Sequence, residues 1–236
     1  MLSDEQKIKQ KEKKKKILII AVISVVALFV IAGLVLLILA GIDNAKRNKE
    51  REELDALTKE NLIFVEPDYN LDIFEDDYYM QLDRYYWITD GFTRTIITDE
   101  NSASYSPELN FVRQMIANAI AGNYIDYNAM FTQEYLNSAG DDLREMFTMQ
   151  QIHNIELEVL ESNTIRAEAG EFETTSVIKV SYMIRDNNGT FRNDLEEGAI
   201  RPIVYMLKSQ TDANNYTQIK ATGMMLHIKY QSGLYD

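Results

Sequence analysis

The sequence predicts an α+β protein held to a membrane by one helix: an N-terminal transmembrane helix and helical stalk, then helices packed on a curved antiparallel sheet. Three observations carry that prediction. Residues 17–40 form an uninterrupted apolar run, residues 106–140 repeat their apolar positions at helical spacing, and the chain from Ile152 alternates apolar and polar residues with a period of two.

The apolar run, Ile17 to Ala40, holds 24 residues without a charge. As a helix it would extend about 36 Å, enough to cross a hydrocarbon core of about 30 Å with some tilt. A cleaved signal has a shorter apolar region, and a soluble core helix is seldom apolar on every side. Leu39-Ala40-Gly41 resembles the end of a lipoprotein signal, but Ile42 stands where lipidation needs cysteine. Before the run lie seven cations, Lys7, Lys9, Lys11 and Lys13 to Lys16, and after it four, Lys46, Arg47, Lys49 and Arg51. That bias predicts a single-pass protein of the cell membrane, with a basic cytoplasmic tail (1–16), a span (17–40) and an extracytoplasmic C-terminal domain.

The whole chain of 236 residues has 24 Lys plus Arg against 37 Asp plus Glu, a net −13. The first 40 residues hold seven of the bases and three of the acids, so 17 bases and 34 acids, a net −17, follow the span. Such a field repels phosphate backbones, which argues against nucleic-acid binding and favours basic protein partners or divalent cations. The absence of cysteine excludes disulfides, thiol nucleophiles, iron–sulfur clusters and cysteine-based zinc sites.

Residues 41–62 are highly charged, with scattered apolar positions and no sustained heptads, and read as a helical stalk. Residues 63–105 form an aromatic-acidic segment. Tyr69, Phe74, Tyr78, Tyr79, Tyr85, Tyr86 and Trp87 fall within 19 residues among Asp68, Asp72, Glu75, Asp76, Asp77 and Asp83. Tyr78, Tyr79, Tyr85, Tyr86 and Trp87 are the interface candidates; the cluster reads as packing against the domain, as a protein-docking surface or as a stacking platform for cell-wall sugar. Within it, Asp83 to Asp99 reads as strand, turn at Thr89-Asp90-Gly91, strand.

The domain proper is predicted over 106–236. Ser106-Pro107-Glu108 is a helix start, followed by Leu109, Val112, Met115, Ile116, Ala119 and Ile120 at spacings of three and four and ended by Gly122. A second helix capped by Asp126 carries Met130, Phe131, Tyr135 and Leu136 to Gly140, and a third runs from Asp142 to about Met149. Ile155, Leu157 and Val159, then Ile178, Val180, Tyr182 and Ile184, mark the apolar faces of strands, and 200–208 and 216–228 supply two more. Asp186-Asn187-Asn188-Gly189 carries a type I′ hairpin signal.

The stretch IANAIAGNYIDYNAMFTQEYLNSAG, residues 116–140, resembles the cystatin-like superfamily of nuclear transport factor 2, in which helices fold against a curved sheet. The resemblance implies a domain over about 106–228 with an aromatic near Phe131 facing the sheet. Tail, single span and external domain together resemble the inner-membrane scaffold subunit of type IV secretion systems, which implies a place in a conjugation or secretion complex.

No constellation carries chemistry. His153 and His227 lie in different elements, and neither a nucleophile elbow nor a phosphate-binding glycine loop occurs. Asp186, Asn188, Thr190, Asp194 and Glu197 match five calcium-loop positions, but Phe191 stands where such a loop needs glycine. Glu75-Asp76-Asp77 is a solvated acid run before it is a calcium ligand set, and Asn188-Gly189-Thr190 and Asn215-Tyr216-Thr217 match glycan acceptors. A cavity enzyme would place Asp126, Tyr127 or Tyr182 between helices and sheet. The expected function is therefore a non-enzymatic scaffold or docking subunit of an envelope complex, without catalytic, metal or cofactor residues. The alternative is a membrane-tethered ligand-binding or sensing module for a cell-wall sugar or small molecule.

Overall fold

A computed structural model describes residues 62–139, 146–167 and 171–233. The tail, the span and the stalk as far as residue 61 lie outside the described residues. Among the described residues no helix is long and apolar enough to cross a membrane.

The described chain is α+β, with one six-stranded sheet. Its elements in chain order are α1 (Asp77–Met80), β1 (Tyr86–Asp90), β2 (Thr93–Ile97), α2 (Pro107–Ile120), α3 (Tyr124–Ala129), α4 (Gln133–Ser138), β3 (Gln151–Arg166), β4 (Phe172–Arg185), β5 (Ile203–Thr211), β6 (Thr217–Leu226) and α5 (His227–Ser232). The strand order is β2-β1-β3-β4-β5-β6. From β3 to β6 the sheet is the expected antiparallel meander, but β1 lies parallel to β3, with Trp87 opposite Glu156 and Ile88 opposite Leu157. The sheet is thus mixed, and the hairpin of the aromatic-acidic segment belongs to the same sheet as the strands after residue 150.

Local chemistry explains the elements. Ser106 caps α2 by accepting from the Leu109 amide at 3.2 Å, and Pro107 takes the first helical position, where no donor is lost. Gly122 ends that run at φ +66°, and a Cβ there would stand 2.8 Å from the Met149 backbone nitrogen. The helix expected after it is two short ones. Asn123, not Asp126, caps α3, Thr132 caps α4, and Phe131 between them makes a bridge to Ala221 that covers part of the β6 edge. The chain at 146–150 is not helical, so the third helix does not reach Met149; its start at 142 lies outside the described residues.

The Asn-Gly hairpin is also corrected. Asp186 to Gly189 opens the long connection 186–202 because the side chains of Asn187 and Asn188 out-compete a hairpin ladder: Gly189 N–H donates to Asn187 Oδ1 at 3.0 Å and Thr190 N–H to Asn188 Oδ1 at 3.1 Å. Asn188 also donates to Thr148 Oγ1 at 2.6 Å, tying this turn to the strand entering the sheet. Strand β6 stops at Leu226, and α5 takes the place of its expected last residues, closed by Gly233 at φ +65°.

The core lies on one face of the sheet, under α2 and α3. Ile155, Leu157, Ile178, Val180, Tyr182, Ile184, Tyr205 and Leu207 meet Val112, Met115, Ile116 and Ala119 there. Each fully buried large aliphatic side chain contributes about 1.5–3 kcal/mol. The opposite face carries the alternate residues of the same strands, where the charged pair of Lys179 and Glu158 stands among apolar Val177, Val204 and Met206.

Candidate protein-interaction face

The acidic residues that punctuate the aromatic segment are turn-forming groups. Asp68 accepts from the Asn70 amide, Asp72 from the Phe74 amide, Asp76 from the Tyr78 and Tyr79 amides and Asp83 from the Tyr85 amide, each at 2.9–3.1 Å. A carboxylate two residues before an amide fixes a turn, so the run from Leu62 to Tyr85 is a chain of short turns instead of one long element. Asp76 also binds Arg185 of β4 at 2.5 Å. That bond, followed by the Tyr79 amide, holds the Asp76 carboxyl below the usual carboxylate range.

This succession of turns decides the fate of each interface candidate. Tyr79 is fully buried and donates its hydroxyl to the Ile152 carbonyl at 3.0 Å; burial pushes that hydroxyl up to about 12. It is therefore inside the protein and unavailable to a partner. Tyr86 is half-buried against the helix-side core, its hydroxyl likewise pushed up to about 12 by burial. Tyr78 and Tyr85 stand 61% and 60% exposed. Trp87 projects from β1 on the face opposite the core. Its indole donates to Asp83 Oδ2 at 2.8 Å, and the Arg94 guanidinium lies 4.0 Å from its ring centroid.

Around these rings the outer face of the sheet is a lattice of charge pairs. Thr89 and Arg94 converge on Glu156, at 2.5 and 3.8 Å, Lys179 pairs with Glu158, and Arg185 sits 4.6 Å over the Tyr78 ring while also reaching Gln151 and Asp186. His227, at the start of α5, is held below the ordinary histidine value by burial and by Lys179. His153 is lowered as well, chiefly by burial. These partners were legible as outward positions of strands; which of them meet depends on register, which the sequence does not print.

A second polar cluster lies in the core. The Tyr127 and Tyr205 hydroxyls are 2.8 Å apart, and Arg192 Nη1 donates to the Tyr182 hydroxyl at 3.0 Å. Arg192 forks onto Asp194 at 2.6 and 2.8 Å. All three tyrosine hydroxyls are pushed up by burial. Burial works against the charges of Arg192 and Asp194, yet Tyr182 and Asp194 keep the guanidinium raised, and Arg192 with Arg201 keeps the Asp194 carboxyl lowered. Phe131, Phe147 and Phe191 pack edge-on to Tyr127 at 5.4–5.6 Å between centroids, filling the space around it. Asp126 instead lies in the first turn of α3 on the surface, its amide donating to Asn123 Oδ1 and its carboxylate accepting from Asn123 Nδ2, so the three groups considered for acid–base work are not brought together.

The calcium-loop residues are likewise dispersed: Phe191 is buried among aromatics, Asp194 is committed to arginine, and Thr190 to Asn188. Among the described residues no group of three histidine, cysteine or carboxylate side chains is placed to hold a metal. On the sheet, a shallow groove of about 670 Å3 is lined by Glu161, Asn163, Thr175, Val177, Met206 and Lys208, among others. Comparison with protein-family models, with curated proteins and with solved structures finds no match to this chain.

Proposed function

We propose that this chain is a non-enzymatic, single-pass protein of the cell membrane, N-terminus cytoplasmic, whose external α+β domain docks other proteins as a scaffold subunit of an envelope complex, such as a conjugation or secretion machine. The cystatin-like arrangement belongs to this proposal: a capped helix, α2, packs on one face of a four-stranded meander, and Phe131 is buried at the sheet.

The observation that carries the docking reading is the contrast between a filled interior and an aromatic exterior. Tyr127, Tyr182 and Tyr205 are at most 2% exposed and bonded to one another or to Arg192, which leaves the helix–sheet interior to packing. Tyr78 and Tyr85 face solvent beside an ion-paired sheet. Aromatic side chains bury large area at modest entropy cost, which suits an interface. A sugar platform is less favoured, since a guanidinium already lies over both the Trp87 and the Tyr78 rings.

The test is a photo-crosslinking residue placed in the full-length chain at Tyr78, at Tyr85 and, as a control, at Asp212 on the β5–β6 turn. In native membranes the first two positions are expected to give a discrete protein adduct that Asp212 does not. No adduct at Tyr78 or Tyr85, or the same adduct at all three, overturns the docking reading. A reporter fused to the C-terminus tests the topology, and cytoplasmic activity would overturn it.

The groove over Glu161, Thr175 and Lys208 supports the second reading, a tethered ligand-binding or sensing module. Saturable thermal protection by cell-wall fragments would favour it; none at millimolar concentration would remove it.

A further inference from the structure

The apolar exposure of the described residues is unevenly spread. Of 17 large hydrophobic side chains that stand exposed, eight fall between Ile63 and Tyr85, among them Val65, Tyr69, Leu71, Phe74 and Tyr78. The backbone beneath them is fixed. Val65 N–H bonds Asn187 O, Asn154 N–H bonds Asp83 O, and Ile73 and Tyr79 are buried anchors. A row of apolar side chains held outward on an anchored backbone is a preformed contact surface, not a collapsed tail.

Charge identifies the occupant. Between Leu62 and Tyr85 the chain holds seven carboxylates and one cation, Arg84, which is half-buried with its guanidinium 5.4 Å from the ring centroid of the buried Tyr79. Four of them, Asp68, Asp72, Asp76 and Asp83, form the turns, and Asp76 is further neutralised by Arg185. The carboxylates of Glu66, Glu75 and Asp77 accept no turn amide, and among the described residues no cation pairs with them; all three are exposed amid the outward rings. An anionic lipid surface or nucleic acid would be repelled there, and so would the same surface of a second copy. A neutral sugar gains nothing from the carboxylates.

Resting on the docking reading above, we infer that residues 62–85 form the docking surface for a cationic protein segment, one that sets lysine or arginine side chains between aliphatic or aromatic ones. Its apolar groups cover Tyr69, Leu71, Phe74 and Tyr78, and its cations meet Glu66, Glu75 and Asp77. Electrostatic complementarity of this kind orients and accelerates the encounter, and the covered rings hold it.

The experiment places the photo-crosslinking residue at Tyr69 and at Phe74 of the full-length chain in native membranes and sequences the partner peptide attached. A peptide rich in lysine and arginine is expected. Its yield is expected to fall about fivefold in about 0.5 M salt, where exposed charges are screened within a few ångströms, and about as much in the triple variant Glu66→Gln/Glu75→Gln/Asp77→Asn. The charge-matched control Glu134→Gln/Glu171→Gln/Glu196→Gln is expected to retain the full yield. Since the first triple removes no ion pair among the described residues, unchanged Trp87 emission will verify its fold. An acidic or neutral partner peptide, a lipid or glycan adduct, a crosslink to a second copy, or equal yields in the two triples overturns this inference while a protein adduct leaves the docking reading standing. No protein adduct at Tyr69, Phe74, Tyr78 or Tyr85 overturns both.

Discussion

The two faces of the sheet are built from the same strands and by opposite rules. On the helix side, Ile155, Leu157, Val180, Tyr182 and Ile184 are sealed under α2 and α3, and the polar groups that enter, Tyr127, Tyr205, Arg192 and Asp194, satisfy one another. On the other side, Glu156, Glu158, Lys179 and Arg185 pair across strands in partial contact with water, and the turns of 62–85 add rings that point away. The difference teaches where function can reside. A face whose buried hydroxyls and charges are committed to one another is specialised for stability, whereas the face with unspent carboxylates and uncovered rings retains capacity for a partner.

The comparison breaks most readily at the buried charge. Arg192 is 6% exposed and serves Tyr182, Asp194 and the Arg201 carbonyl. Arg192→Met should cost about 3 kcal/mol, since it removes the donor of the buried Tyr182 hydroxyl and leaves the half-buried Asp194 carboxylate with only Arg201, 3.9 Å away. Urea unfolding of the full chain in detergent, followed by the emission of the single tryptophan, measures it. Adding Asp194→Leu should return at least half of the loss, because an apolar pair leaves no stranded charge. A double variant no better than the single one would mean that the pair fixes the conformation of 186–202 in a way apolar packing does not replace.

Gly122→Ala follows in size. The φ of +66° costs an L-residue about 1–2 kcal/mol, and the added methyl would press on the Met149 backbone at 2.8 Å. The same assay is expected to give a loss above about 1.5 kcal/mol. Gly91, at φ +56° with open space around it, should lose only the backbone part when changed to alanine. Equal losses at the two glycines would show that the α2 terminus does not depend on its contact with the strand entering the sheet.

Acid should then act on the two faces at different pH. His153 and His227 are held below the unfolded histidine value, so the unfolded chain takes up protons first and stability falls as pH drops through about 6.5. Asp194 is held below its unfolded value, so its contribution is present above about pH 4 and is lost as pH falls further. The double variant His153→Gln/His227→Gln should flatten the upper limb and leave the lower one. A midpoint-against-pH profile from urea titrations reads both, and an upper limb unchanged in the double variant would exclude the histidines as its cause.

What was legible in the sequence follows from how local each signal is. The Ser106-Pro107 start, the stop at Gly122 and the alternating face of β4 all come from contacts within a few residues and are where the residues placed them, whereas the β1–β2 hairpin turns at Gly91-Phe92, with Thr89 and Asp90 paired in the ladder instead of forming the turn, and the irregularity after Val159 leaves that residue exposed at the end of the β3 apolar face. The failures are non-local or competitive. Asn187 and Asn188 each had two possible uses, and bonding to Leu195 O and to Thr148 Oγ1 replaced the hairpin. The parallel pairing of β1 with β3 joins residues about 70 apart, and nothing in either strand announces it. Of the candidate site, the aromatic composition was visible, but adjacent tyrosines could not be separated by composition alone.

Of those adjacent tyrosines Tyr78 gives the smallest expected effect, and its contrast with Tyr79 gives the sharpest division between the faces. Tyr79→Ala should cost about 3–5 kcal/mol, losing a fully buried ring and a bond to Ile152 O, whereas Tyr78→Ala should stay within about 0.5 kcal/mol. The neighbours share composition and local sequence, so the difference can come only from the turn that Asp76 sets by binding both of their amides, which directs one ring inward and the other out. If Tyr78 carries contact with a partner and little of the fold, Tyr78→Ala will weaken crosslinking at Tyr85 while leaving the urea midpoint in place. A midpoint shift as large as that of Tyr79→Ala would make the Arg185–Tyr78 contact part of the domain's own packing and move the docking surface away from this turn.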